Sequence, residues 1–282
     1  LIDKTVTRFA PSPTGFLHLG HAHAALFARR AAVAAGGTFL LRIEDIDGPR
    51  CRPAFEDAIF EDLTWLGVGW DGEAIRQSDR RVAYGAALAQ LSAAGLTYPC
   101  FCTRKEIAAE IKAAGAAPQG PDGPLYPGTC RGARGDARAR GEVGVSEAAL
   151  RLDCTVAGTA LGPLSFNDRV AGSITVDPCL FGDAVVARKD IGTSYHLACV
   201  VDDAAQGVTL VTRGDDLLPA THLQRVLQAA LSLPQPDYHH HGLVMDDSGH
   251  RLAKRDDARS LRALRASGVS PAEARAMAGF PD

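Results

Sequence analysis

Arg8-Phe9-Ala10-Pro11-Ser12-Pro13-Thr14-Gly15, followed by His18-Leu19-Gly20-His21, is the stretch from which the fold can be read. Upstream, Thr5–Ala10 is rich in strand-forming residues and runs into the turn-rich Pro11-Ser12-Pro13-Thr14-Gly15. Downstream, the run from His21 to Ala35 is dense in Ala, Leu and Phe and stops at Gly36-Gly37, which predicts a helix. A second strand is predicted over Thr38–Ile43, ending in the acidic run Glu44-Asp45-Ile46-Asp47. Strand, Gly/Pro loop, helix and strand make a βαβ unit, which implies a parallel sheet covered by helices. Ligands of such sheets bind beyond the C-terminal strand ends, where the first loop and the acidic run both fall.

Helical periodicity returns from Phe55 to Leu66 and from Arg80 to Ala94. From Tyr98 to Arg140 the chain is dense in Cys, Pro and Gly, with one short helix predicted near Thr103–Ala114. Leu150 to Val176 has the β-branched stretches and Gly breaks of small strands. Buried strands are predicted at Val185–Ala187, Leu197–Val201 and Gly207–Val211, and a helix over His222–Leu231. The expected class is α/β. A Rossmann-like parallel-sheet core over 1–95 and 180–240 is interrupted by an α+β subdomain over 96–179, and 241–282 forms a loop and a helical stretch.

The 282-residue chain is 46% apolar and 22% charged, as in ordinary globular proteins. No apolar run reaches membrane-spanning length and the first residues lack the signal-peptide pattern, so the expectation is a cytoplasmic protein with no membrane partner. Seven scattered cysteines, an odd number, argue against a disulfide framework. The net charge of −3 carries no global signal for nucleic acid. Of the 30 basic residues, only Lys4, Lys105, Lys112, Lys189 and Lys254 are lysines; arginines cluster at Arg131, Arg134, Arg138 and Arg140 and again from Arg251 through Arg265. Local patches of this kind either hold phosphates or face solvent.

Four groups of residues carry chemistry. A strand-to-helix turn aims free N–H groups and the positive end of a helix dipole at its ligand, and His18 and His21 can add hydrogen bonds to phosphate oxygens. Gly15 and Gly20, lacking Cβ, let the backbone approach a phosphate. Lys254, flanked by Arg251 and Arg255, can clamp β- and γ-phosphates, although alone such a loop reads more readily as solvated surface. Cys100, Cys102 and Cys130, with Tyr126, could form a tetrahedral Zn²⁺ site; their spacing is equally compatible with buried free thiols. Cys51, Cys154, Cys179 and Cys199 read as small apolar fillers. Arg8, Glu44, Tyr195 and Arg213 each fall at or near a predicted strand end, where they could receive a zwitterionic amino acid or form surface ion pairs.

Together these motifs resemble the class I aminoacyl-tRNA synthetases, specifically the glutamyl branch, over nearly the whole chain. Arg8 to Gly20 resembles that branch's first loop, with His18-Leu19-Gly20-His21 in place of the HIGH motif. Leu41-Arg42-Ile43-Glu44-Asp45-Ile46-Asp47 is similar to its second strand, and Val200-Val201-Asp202-Asp203 and Thr212-Arg213-Gly214-Asp215-Asp216-Leu217-Leu218 to later core segments. Arg251-Leu252-Ala253-Lys254-Arg255 sits where the KMSKS loop belongs, departing from it by Ala253 in place of the usual serine. Only 28 residues follow Lys254, which is similar to the short members of the branch that lack anticodon-binding domains.

The resemblance implies an enzyme that adenylates L-glutamate with ATP, without tRNA present, and esterifies it onto queuosine in the anticodon of tRNA(Asp). It implies that Arg8, Ser12, Glu44, Tyr195 and Arg213 hold glutamate. His18, Gly20, His21 and Lys254 would bind ATP, with His18, His21 and Lys254 acting in catalysis. Cys100, Cys102, Tyr126 and Cys130 would hold a structural Zn²⁺ in the inserted subdomain, Mg²⁺ would accompany ATP, and the protein would act as a monomer. The competing expectations are the catalytic portion of a conventional glutamyl-tRNA synthetase charging the tRNA 3′ end, a nucleotidyltransferase acting on a small metabolite, and a non-enzymatic RNA-binding module.

Overall fold

The computed structural model describes residues 4–114, 118–132, 148–244 and 260–281. Lys254 with Arg251, Leu252, Ala253 and Arg255, and Arg134, Arg138 and Arg140 of the first arginine cluster, lie outside the described residues.

The opening βαβ unit forms as the sequence predicts. β1 (Val6–Phe9) and β2 (Thr38–Ile43) pair in parallel, with Val6 opposite Thr38 and Arg8 opposite Leu40, and α1 (Leu19–Ala34) joins them. The helix starts two residues before His21 because the two histidines cap it reciprocally. Nδ1 of His18 accepts from the Gly20 amide at 3.1 Å, and Nδ1 of His21 accepts from the His18 amide at 3.2 Å. Gly36, at φ 58°, ends α1. A Cβ on Gly37 would stand 2.0 Å from the Thr5 carbonyl oxygen, so the return into β2 requires glycine there.

α2 (Pro53–Trp65), β3 (Ile75–Arg76), which adds to β2 in parallel, and α3 (Arg81–Ala93) follow. The next stretch holds β4 (Thr97–Cys100), α4 (Arg104–Ala113), the hairpin β5 (Gln119–Gly120) and β6 (Gly123–Pro124), and β7 (Ala149–Leu152). Then come α5 (Cys154–Leu161), β8 (Ser165–Asp168) and β9 (Gly172–Thr175). β10 (Val185–Ala187), β7 and β4 make a small antiparallel sheet. α6 (Tyr195–Ala205), β11 (Leu210–Gly214), α7 (Leu218–Ala230) and β12 (Asp237–His241) return to the core, and α8 (Leu261–Ala266) and α9 (Pro271–Met277) end the described chain.

β12 pairs in parallel with both β11 and β8, and β9 completes a hairpin with β8. At the other edge of β11 the Thr209 amide donates to the Val6 carbonyl at 3.0 Å and the Val6 amide to Thr209 Oγ1 at 2.9 Å. The parallel set β3-β2-β1 therefore abuts the set β11-β12-β8, which gives the Rossmann-like core.

Three local expectations are corrected. Leu197–Val201 is helix, within α6, whose Ser194 Oγ accepts from the Leu197 amide at 3.4 Å. Leu197, Ala198, Cys199 and Val200 are all buried, and a fully buried short run has no period to separate helix from strand. α5 interrupts the stretch expected to hold only small strands; Asp153 caps it, accepting from the Val156 amide at 3.0 Å. β12, with the sequence Asp-Tyr-His-His-His, is a strand that the sequence did not predict.

Two apolar clusters hold the core. One joins Phe9, Leu26, Leu41 and Ile59 to Leu261 and Ala274 of the last two helices; the other joins Leu152, Phe166, Leu197, Val211, Leu227 and Tyr238. The last segment is also hydrogen-bonded to the first loop, the Leu261 amide donating to the Leu17 carbonyl at 2.8 Å, with Ser260 bridging His18. Among the described residues, no helix is long and apolar enough to cross a membrane.

Candidate active site

A cleft of about 570 Å³ opens where β1, β2, β11 and β12 end. Its wall includes Arg8, Ser12, Glu44, Tyr195 and Arg213, and beside them His18, Gly20 and His21. All the cleft residues expected from the sequence, apart from Lys254, are thus brought together. The first loop is pinned to its neighbours, the Glu44 amide donating to the Pro11 carbonyl at 2.9 Å and the Arg52 amide to the Pro13 carbonyl at 3.1 Å. A Cβ on Gly20 would come within 3.0 Å of the His18 ring, while nothing lies within 4 Å of one on Gly15 among the described residues. Gly20 therefore keeps the His18 cap in place.

The floor of the cleft is a buried ionic cluster. Arg8 Nε donates to Asp203 Oδ1 at 2.9 Å and its Nη1 to the Thr212 carbonyl at 3.3 Å. Arg42, wholly buried, donates to the same Asp203 oxygen at 2.8 Å and to Glu44 Oε1 at 3.4 Å. Burial opposes the charge on Asp203, but Arg8 and Arg42 outweigh it and hold the carboxyl well below the usual carboxylate range. Glu44 is the opposite case. Burial raises its pKa, and Arg42 and Arg8 only partly offset that. Tyr195 is pushed far above its ordinary value, first by burial and then by Cys199 and Glu44, so it meets a ligand as a neutral phenol. Cys199 is part of this cluster rather than an apolar filler, its Sγ donating to Asp203 Oδ2 at 3.6 Å.

Arg213 is fixed differently. Its Nε donates to His240 Nε2 at 3.1 Å, Nη1 to Gln224 Oε1 at 2.7 Å and Nη2 to Thr221 Oγ1 at 2.6 Å, all among buried partners. Sequence reasoning missed Arg42, Asp203 and His240 as parts of the site. Arg42 lies in a predicted strand and Asp203 beside another predicted core segment, whereas no predicted element pointed to His240. Two further imidazoles, His23 and His241, line the cleft next to His18 and His21, with their ring centroids 4.6 Å apart.

The cysteine motif lies in the small-sheet region. The sulfurs of Cys100, Cys102 and Cys130 lie within 4.8 Å of one another, and Tyr126 Oη is 3.4 Å from Cys100 Sγ and 3.7 Å from Cys102 Sγ. Burial pushes the Cys102 thiol up to about 11. Cys130 is also buried, yet hydrogen bonds at Phe101 and Tyr126 bring it down to about 7, which favours the thiolate a metal requires. Three sulfurs and a phenol oxygen within mutual reach can close a four-coordinate shell.

A cleft of this make-up at the strand ends of a Rossmann-like core is the site of a class I tRNA synthetase catalytic domain. Residues 4–277 match the family described as tRNA synthetases class I (E and Q), catalytic domain. The glutamyl-Q tRNA(Asp) synthetase of Rhodobacter capsulatus is 52% identical, covering 98% of this chain and 100% of that protein. The enzyme of the same name from Nocardia farcinica is 44% identical, covering 96% of this chain and 82% of its own. The crystal structure of a glutamate tRNA ligase from Elizabethkingia meningosepticum in complex with its amino acid superposes with a TM-score of 0.74 at 30% identity, over 90% of this chain. The chain spans about half of that ligase, 52% of its length. Within the class, the chain belongs to the glutamyl-Q tRNA(Asp) synthetase family.

Proposed function

We propose that this protein activates L-glutamate with ATP and transfers it to queuosine in the anticodon of tRNA(Asp). The observation that carries the reading is the meeting, in one cleft, of Glu44 and two arginines, Arg8 and Arg213, with the helix start that bears His18 and His21. Glu44 takes the ammonium of glutamate, the arginines its carboxylates, and Tyr195 and Ser12 complete the contact. The N-terminal turn of α1, together with His18, Gly20 and His21, receives the ATP phosphates, and Lys254 holds the departing pyrophosphate. A glutamate carboxylate oxygen attacks the α-phosphorus, the bond to the β-phosphate oxygen breaks, and pyrophosphate leaves. A hydroxyl of the modified base then attacks the acyl carbon, AMP departs, and the hydroxyl proton is lost to solvent or phosphate. The protein's part is to position the reactants and to aim donors at developing charge.

Mg²⁺ accompanying ATP would spread the phosphate charge. Cys100, Cys102, Tyr126 and Cys130 would hold Zn²⁺ as a structural staple, since four protein ligands leave no open position. Residues 96–179 are read as the inserted subdomain that faces the tRNA. The protein acts as a monomer in the cytoplasm, where its tRNA substrate resides. Labelled glutamate offered with tRNA(Asp) from cells able and unable to make queuosine tests the whole reading. Label is expected only on the modified tRNA, and removing the 3′-terminal adenosine should not affect it. Charging of the unmodified tRNA, or its loss with the terminal adenosine, would transfer the assignment to a conventional synthetase.

A further inference from the structure

Arg8 and Arg213 both face the cleft, but their charges are handled in opposite ways. Arg8 is directly paired with Asp203. Among the described residues, Arg213 has no carboxylate within ion-pair distance; its three described hydrogen bonds go to neutral acceptors. The nearest carboxylate in the network stands one residue behind, since His240 Nδ1 lies 2.8 Å from Asp168 Oδ2.

We infer that Asp168 and His240 are positioning residues for Arg213, a buried carboxylate–imidazole pair that fixes the guanidinium without neutralising it and so keeps its charge for a substrate carboxylate. The inference rests on the proposed binding of glutamate in this cleft.

The direction of every hydrogen bond in the chain follows from chemistry. Asp168 Oδ1 accepts from the Val170 and Ala171 amides at 2.9 and 2.8 Å, and Oδ2 accepts from the His240 amide at 3.0 Å. Burial opposes ionisation of this carboxyl, but those donors hold it at about 2, so at neutral pH it is charged and can only accept. His240 Nδ1 must therefore carry the proton. Burial and Arg213 bring the imidazole down to about 4, so the ring is neutral and Nε2 is a lone pair. That lone pair accepts the Arg213 Nε–H, and the Thr221 hydroxyl stands 3.2 Å from the same nitrogen. Register supplies the geometry: Arg213 is opposite His240 on neighbouring strands, and Tyr238 is opposite Asp168. A direct aspartate partner would compete with the ligand for the same N–H groups, whereas one placed behind an imidazole orients them and stays out of the cleft.

Glutamate-dependent ATP–pyrophosphate exchange by the full chain tests this. Asp168→Asn, which permits the reversed imidazole tautomer, and His240→Phe, which removes the acceptor, should raise the KM for glutamate by about 10- to 100-fold. The KM for ATP should stay within about twofold, since the phosphate end of the cleft is untouched. His240→Gln can donate to Asp168 through its amide nitrogen and accept from Arg213 through its oxygen, and should restore a near wild-type KM. Thr221→Val, isosteric and without the hydroxyl, should raise the same KM more modestly and serves if the first variants do not fold. A purely structural role would lower melting temperature and active fraction with KM for glutamate unchanged. That result, or failure of His240→Gln to rescue, would overturn the inference. Absence of glutamate-dependent exchange in the wild type would instead bring down the reading on which it rests.

Discussion

Arg8 donates to Asp203 across 195 residues of sequence, tying the end of the first strand to the last turns of α6 beneath the cleft. Asp203 also serves Arg42, so one carboxylate balances two buried guanidinium groups. Asp203→Asn should cost about 3–5 kcal/mol, because Arg8 loses its counter-charge and Arg42 keeps only Glu44, where water cannot replace the lost carboxylate; urea unfolding at pH 7 measures this. The pH dependence has a definite sign. The folded carboxyl titrates below its unfolded value near 4, so its contribution is complete above about pH 4 and is lost as pH falls through the depressed value. The variant should lose stability less steeply in acid than the wild type.

Asp62 on α2 behaves oppositely. It is fully buried, neither oxygen has a hydrogen-bond partner among the described residues, and Arg265 Nη2 is 4.0 Å away. Burial lifts its pKa to about 6. Because this lies above the unfolded value, stability is complete below about pH 4, declines as pH rises to about 6, and is flat beyond. Asp62→Asn should remove that decline and raise stability at pH 8 by about 1–2 kcal/mol in the same unfolding assay.

His18 caps α1 and, in the proposed mechanism, also meets ATP; substitution can separate the two roles. Asparagine is a good N-cap, so His18→Asn should melt close to the wild type. If the imidazole contacts phosphate in the transition state, exchange should nevertheless fall about 100-fold or more. His18→Ala together with His21→Ala should lose both the cap and the activity. Full exchange activity in the asparagine variant would confine His18 to its structural role.

For the cysteine cluster, elemental analysis of the purified protein should find about one zinc per chain. Cys130→Ser should lose most of it, and acidification should release metal from the wild type as the thiolates regain protons. A protein that is metal-free as isolated yet folds and melts normally would leave the sulfurs as buried thiols.

The sequence made the opening unit legible because its punctuation is strong: a proline-rich turn, two histidines at a helix start, and a glycine pair where a Cβ would strike Thr5. The cleft residues were legible for a topological reason, since a parallel sheet gathers its C-terminal strand ends on one side. What was not legible depends on distant partners. Asp168 and His240 are 72 residues apart, and nothing local in either segment indicates that they meet. The polar strand Asp237–His241 gave no apolar alternation because His240 and His241 are buried through hydrogen bonds and ring contacts rather than through hydrophobicity. Tyr195 was placed near a strand end and instead opens α6, yet it still reaches the cleft because that helix starts there.

The neutral acceptors around Arg213 also limit how this pocket can be retooled. An uncharged side chain at position 213 would leave the Gln224 carbonyl without its described donor and leave Thr221 and His240 only each other, deep in the interior. On the proposed binding of glutamate, preference for an acidic amino acid would be inscribed in a pair of neighbouring strands and the helix over them. Re-engineering toward a neutral substrate would have to rebuild that interior in concert with the cleft.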